Sequence, residues 1–224
     1  MVGANHSQAH ASPGEHLVLA GGGHTHALVL RMWAMGRARQ AGRRPAAWIT
    51  LVNRRSTALY SGMVPGLIAG LYPRKACEIN LRRLADQAGV SFVEAEITGV
   101  DLGRRMLLLE GRPPLRFDWL SLDVGAVAAP LGEELCGALL ESATTDATSQ
   151  RAAASCLPVK PLEPFLDWCA SSKGNLPPGE PVVVAGSGAA AVEVALALKS
   201  RGLAPTFQVK STYLAWARSG PTGC

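Results

Sequence analysis

A chain of 224 residues with 22 Lys and Arg against 17 Asp and Glu, a net charge of +5 and 48% apolar residues has an ordinary globular composition, with room for one full domain and part of another. Its charge is modest and spread out, without basic runs interleaved with aromatics, so no nucleic-acid partner is expected. Five cysteines (Cys77, Cys136, Cys156, Cys169 and Cys224) stand far apart with no C-x-x-C, which argues against a disulfide scaffold, a structural zinc site and a cysteine-pair redox centre. No transmembrane segment is expected either. Leu17–Met35 and Val182–Leu198 are apolar enough to consider, but each contains a Gly-x-Gly, and the second also carries Glu193.

Residues 1–15 mix Gly, Ser, Asn, His and Pro without periodicity and read as a flexible tail. Structure is expected to begin at His16, with a strand over His16–Ala20, a break at Gly21–Gly23 and a buried helix carrying Ala27, Leu28, Leu30, Met32 and Met35. A polar segment, Gly36–Pro45, leads into a strand at Trp48–Val52. Asn80 is a helix cap for Leu81–Ala88. Val90–Glu96, Ile97–Asp101 and Arg105–Glu110 read as consecutive strands, and Phe117–Val124 as one more, ending at Gly125. Ala126–Leu157 reads as an irregular connection, with a short helix after Pro161 and a Pro/Gly-rich linker over Ser171–Pro181. Val182–Leu198 repeats the strand, glycine turn and helix, and Thr206–Lys210 is a further strand. The fold class expected is α/β: a Rossmann-like domain with a parallel sheet, helices and a β-meander, then a partial second Rossmann-like unit.

The two glycine turns carry the chemistry. In Leu17-Val-Leu-Ala-Gly21-Gly-Gly23-His24-Thr-His26 a buried strand runs into a helix, the context a dinucleotide needs. Gly21 permits the tight turn, Gly23 lets backbone approach a pyrophosphate, and the helix start supplies unpaired N–H groups. His26 stands where the third glycine is usual. The second turn, Gly186-Ser-Gly188-Ala-Ala-Ala191-Val-Glu193, has an accepted third residue in Ala191. A carboxylate for the ribose is missing after both turns. Asn53 ends the second strand and can still bond a ribose, Arg54 and Arg55 follow it, and Lys210 and Ser211 hold the matching place after the second turn. Those cations could meet a 2′-phosphate or simply form a solvated edge.

With these residues the chain resembles the pyridine nucleotide-disulfide oxidoreductase superfamily, in its type II NADH dehydrogenase-like branch, as in the oxidoreductase domain fused ahead of selenide, water dikinase. The likeness rests on Leu17–Leu30, on Leu59-Tyr-Ser-Gly-Met-Val-Pro-Gly-Leu-Ile-Ala-Gly70, and on Phe117-Asp-Trp-Leu-Ser-Leu-Asp-Val-Gly125. In the last of these, Asp123-Val124-Gly125 replaces the family's Ala-Thr-Gly. Val159–Phe165 and the second glycine turn follow in the family's order. The resemblance implies an FAD-binding domain over 16–157, a linker over 158–180 and a partial NAD(P)-binding domain over 181–224. Gly21, Gly23 and His24 would line the FAD pyrophosphate, Asn53 the adenosine ribose, and Ser61, Gly62, Met63, Val64 and Pro65 the flavin side, with Gly125 at the altered turn. Gly186, Gly188 and Ala191 would hold NAD(P)H, with Glu193 on the adjoining helix. It further implies hydride transfer from NAD(P)H to FAD and on to a quinone or other small acceptor. The setting implied is cytoplasmic, peripheral at a membrane in full-length members, with a membrane or a second copy met through the C-terminal half. The family's Gly-Asp segment and interface domain do not follow Gly220-Pro-Thr-Gly-Cys224, so the chain reads as truncated and is expected to turn over poorly. The alternative is a non-catalytic nucleotide-binding or interaction fragment.

No catalytic acid or base is singled out, because hydride transfer to a flavin needs aligned rings and excluded water more than a side-chain acid. All five histidines lie at or before His26 without an accompanying Cys, Asp or Glu cluster, so no metal is expected. His24 and His26 read as turn residues beside phosphate. Tyr60 and Trp119 flank the flavin or, more commonly for such rings, pack against apolar neighbours.

Overall fold

The computed structural model describes residues 14–38, 47–126, 157–171, 177–179, 181–186 and 188–208. The chain divides into two compact units, Met1–Tyr60 with Glu78–Gly125, and Ser61–Cys77 with Ala126–Cys224. Ser61–Cys77, expected inside the first domain, thus belongs to the second unit.

In the first unit β1 (His16–Ala20), β2 (Trp48–Asn53), β5 (Ser91–Glu94) and β9 (Trp119–Leu122) form one sheet in the order β5-β2-β1-β9. All its neighbours run parallel. Alternation along β1 sorts side chains to two faces. Leu19 joins Ile49, Leu51 and Val90 against Ala27 and Leu30 of α1 (His24–Ala38) and Leu81, Ala85 and Ala88 of α3 (Leu81–Ala88). Val18, Ala20 and Val52 face the other way, onto Ala95, Leu107 and Phe117. That second face is covered by an antiparallel meander of β6 (Ile97–Asp101), β7 (Met106–Leu109) and β8 (Arg112–Arg116). Every residue of β1 except the first two is thereby fully buried.

Local signals explain most boundaries. Asn80 Oδ1 accepts from Arg83 N–H at 2.9 Å and caps α3, which ends at Gly89 in the left-handed conformation. Asn80 also closes β4 (Glu78–Asn80), which pairs antiparallel with β3 (Thr57–Leu59). The strands β3, β4 and β8 were not expected. Pro113 and Pro114 disguise β8, which is tolerated because the strand lies at the edge of the meander and its pairing with β7 shifts register at the prolines, between Leu107–Leu115 and Leu109–Arg112. In α1 only Ala27 and Leu30 of the expected apolar set are buried, whereas Leu28, Met32 and Met35 are exposed.

The second unit contains a 3-10 turn at Ser61–Met63, α2 (Val64–Ile68), a 3-10 turn at Arg74–Cys77, α4 (Leu162–Ala170), β10 (Pro181–Ala185), α5 (Ala189–Ser200) and β11 (Ala204–Gln208). β10 and β11 pair parallel, joined through α5 as a β-α-β unit. Helix α2 packs on α5. Val64 and Ile68 of α2 and Val194, Ala195, Ala197 and Leu198 of α5 are buried, while Val192 and Leu196 are exposed. Arg74 and Asp167 form an ion pair within this unit. No helix among the described residues is long and apolar enough to cross a membrane.

Candidate functional site

The order of strands reverses at β1, which has β2 on one side and β9 on the other, so a crevice opens at its C-terminal end. Gly21–Gly23 occupies that end. Gly21 has φ +93°, a conformation that favours glycine, and donates its N–H to Val52 O at 2.8 Å. A Cβ on it would overlap the main chain of Asp123. Gly22 donates to Asn53 Oδ1 at 2.9 Å, and Gly23 donates to Asp123 O at 3.1 Å. At Gly23 the protein group in close approach is Asp123, whose carboxylate a Cβ would overlap.

The two histidines of the turn differ in placement. His26 is 3% exposed, so its ring is enclosed by the protein. Its Nδ1 lies 2.7 Å from Gly21 O and its Nε2 2.8 Å from Ser121 Oγ. A carbonyl can only accept, so Nδ1 carries the proton, and in the neutral ring Nε2 accepts from the Ser121 hydroxyl. The ring thus fills the gap that a third glycine would leave narrow and ties α1 to β1 and β9. His24 is exposed, with its ring stacked on Tyr60 at 5.1 Å between centroids and 19° between planes. Trp119 stands at the start of β9, the far end from the turn, where its Nε1–H donates to Glu15 at 3.0 Å. It is therefore placed away from this crevice.

The backbone donors at the start of α1 divide into two groups. Those of Gly21, Gly22, Gly23, His26 and Ala27 have acceptors within the protein, the His26 N–H on Asp123 Oδ2 at 2.9 Å. Those of His24 and Thr25 have no protein acceptor among the described residues, as expected for the first turn of a helix, and both residues are exposed. Asn53 spends its Oδ1 on Gly22 and one Nδ2–H on Arg55 O at 2.8 Å, leaving one amide hydrogen and an oxygen lone pair. Arg54 and Arg55 beyond it are exposed. Gly125 has φ +79° and open space around it.

The remaining expected residues lie in the second unit. Ser61 and Gly62 are exposed, Met63 and Pro65 half-buried, and Val64 buried in the α2 packing. In the second turn Gly186 has φ +147°, and a Cβ there would press on Ala191 Cβ at 3.3 Å. Gly188 caps α5 with its carbonyl accepting from Ala191 N–H at 3.0 Å, and the space a Cβ would take is open. Glu193 is exposed on the helix, in keeping with a solvated side chain. Lys210 and Ser211 lie outside the described residues. Sequence reasoning missed Ser121, Gly22 and Thr25. It noted Asp123 only as a departure from Ala-Thr-Gly, although an acid in place of a small residue at a strand end was the available signal.

No family model and no curated protein matches the chain. Solved structures do. The chain is similar to sulfide:quinone oxidoreductase from Aquifex aeolicus, with a TM-score of 0.51 and 18% identity, over 90% of this chain and 44% of that one. It is similar to reduced CoADR-RHD from Bacillus anthracis, with a TM-score of 0.59 and 16% identity over 90% and 33%. NADH:rubredoxin oxidoreductase from Clostridium acetobutylicum gives a TM-score of 0.52 and 14% identity over 88% and 45%. The chain therefore spans less than half of each. These neighbours are pyridine nucleotide-disulfide oxidoreductases, so the resemblance read from the motifs holds at the level of the fold.

Proposed function

We propose that the chain is the nucleotide-binding part of an FAD-dependent NAD(P)H oxidoreductase. The observation that carries this reading is the first glycine turn, set at the strand-order reversal with the N–H groups of His24 and Thr25 open at the positive end of α1. A pyrophosphate fits those donors. Gly21, Gly23 and His24 would hold it, Asn53 would offer its remaining amide hydrogen to the ribose, and Gly125 leaves the crevice rim free of side chain. Ser61–Pro65 is assigned to the flavin side by resemblance. In the second turn, Gly186, Gly188 and Ala191 would admit a nicotinamide nucleotide to the start of α5, with Glu193 on the same helix. By resemblance the functional domains would be 16–157 for FAD and 181–224 for part of the NAD(P) site, joined by 158–180.

Bound FAD would supply hydride acceptance from the nicotinamide and electron release to a small acceptor. The chain's own part is to hold and orient: His26 and Ser121 fix the angle at which α1 leaves β1, and His24 braces Tyr60 beside the turn. No side-chain acid or base is assigned. The neighbour that is a sulfide:quinone oxidoreductase supports a quinone as the acceptor class, and a quinone would bring the enzyme from the cytoplasm to a membrane surface.

The test is flavin retention. Protein incubated with FAD and passed through gel filtration should keep absorbance in the blue and near ultraviolet, and Gly23→Val should lose it. Colourless protein that also shows no nucleotide binding by calorimetry would sink the proposal.

A further inference from the structure

The end of β9 places a fixed negative charge against the first nucleotide turn. Asp123 continues the sheet ladder by donating its N–H to Ala20 O at 2.8 Å, and its own carbonyl accepts from Gly23 N–H at 3.1 Å. One carboxylate oxygen accepts from His26 N–H at 2.9 Å, and the other lies where a Cβ on Gly23 would go. The carboxylate is thus held in the first turn of α1. That is the region in which a helix start favours negative charge, and the effect fades beyond it. An acid already bound there uses part of the attraction and repels a second anion at short range.

We propose that Asp123 sets the affinity of this turn for phosphorylated ligands, lowering it for a pyrophosphate while leaving the uncharged adenosine moiety unaffected. The proposal rests on the reading of the turn as a nucleotide site. Neutral Asn53 makes the contrast sharper. The group at the ribose end, where a carboxylate is usual, carries no charge, and the charge stands at the phosphate end instead. A ligand held mainly through adenosine and ribose therefore gains relative to one held through phosphates.

Asp123→Asn keeps an oxygen acceptor for the His26 N–H and removes the charge, and Asp123→Ser is a second neutral variant. Adenosine, ADP and FAD are titrated by calorimetry against the full chain and both variants, at low and high salt. ADP and FAD should bind about threefold to tenfold tighter in the variants, adenosine should bind equally, and the gain should shrink with salt. Equal or weaker ADP and FAD binding in the variants, with the unaltered chain still binding them, would overturn the role of Asp123 and leave the nucleotide reading standing. Absence of all binding in every protein would overturn both. Should neither variant fold, the unaltered chain decides. ADP binding at low salt no tighter than adenosine binding supports the charge effect, and ADP binding tenfold tighter or more overturns it.

Discussion

His26 occupies the place where a dinucleotide turn ordinarily has its third small residue, and it is bonded at both ring nitrogens. Restoring the usual residue should harm this chain. His26→Gly would leave the Ser121 hydroxyl and the Gly21 carbonyl without their partner and open a cavity, at a cost of about 2–4 kcal/mol in urea unfolding. A stability equal to that of the unaltered chain would show that the ring is dispensable. Gly23→Val should now do more than block a ligand. Its side chain would displace the Asp123 carboxylate from the His26 N–H, so about 1 kcal/mol of stability should go together with flavin binding. Burial pushes the Cys169 thiol up, and the nearby Arg201 guanidinium only partly opposes it. At mildly alkaline pH the Cys169 thiolate is therefore scarcer than in an unfolded peptide, and peptide mapping after iodoacetamide treatment should show slower labelling of Cys169 in the native protein than in urea. Glycine spacing made the two turns legible at this scale. The partners of His26 and Asp123 were not, because each bonds a residue more than ninety positions away.

Among the elements, α3 was readable in full because its start, face and stop are local: Asn80 caps it, Leu81, Ala85 and Ala88 are spaced for one buried face, and Gly89 ends it. Asn80→Ala should cost about 1 kcal/mol in thermal or denaturant unfolding, and a loss below a few tenths would show that the cap is redundant. The parallel strands were legible from their aliphatic runs, since both faces are covered. β3, β4 and β8 were hidden for a shared reason. The first two have only three residues each and the third carries two prolines, so their strand character comes from the partner rather than from their own side chains. The exposure of Leu28, Met32 and Met35 was hidden too, because an apolar run is silent about how wide a helix face the neighbours can cover.

For the molecule as a whole, the two glycine turns lie in different units, and Ser61–Cys77 groups with the second unit although by sequence it falls in the domain of the first turn. Contacts between distant residues decide such a division, and no local pattern displays it. Independent turns predict independent losses. Gly23→Val should remove FAD binding while NAD(P)H affinity changes less than threefold, and Gly188→Val should do the reverse. A single variant that abolishes both ligands would show one shared site. Lys210 follows the second turn as a cation able to meet a 2′-phosphate, so NADPH should bind more tightly than NADH in a titration of both, and NADH binding at least tenfold tighter would discard that expectation.

The bond between His26 and Ser121 also has an evolutionary consequence. The two positions stand 95 residues apart and share one buried proton arrangement, so neither can change freely while the other is kept. Among descendants of a common ancestor they should be inherited as a pair. Where the helix residue has drifted to glycine, the strand residue is released to become aliphatic, and where the imidazole persists a hydroxyl should persist opposite it. A scan that insists on glycine at the third place would pass over such lineages, although what the turn demands there is a way to hold helix and strand together.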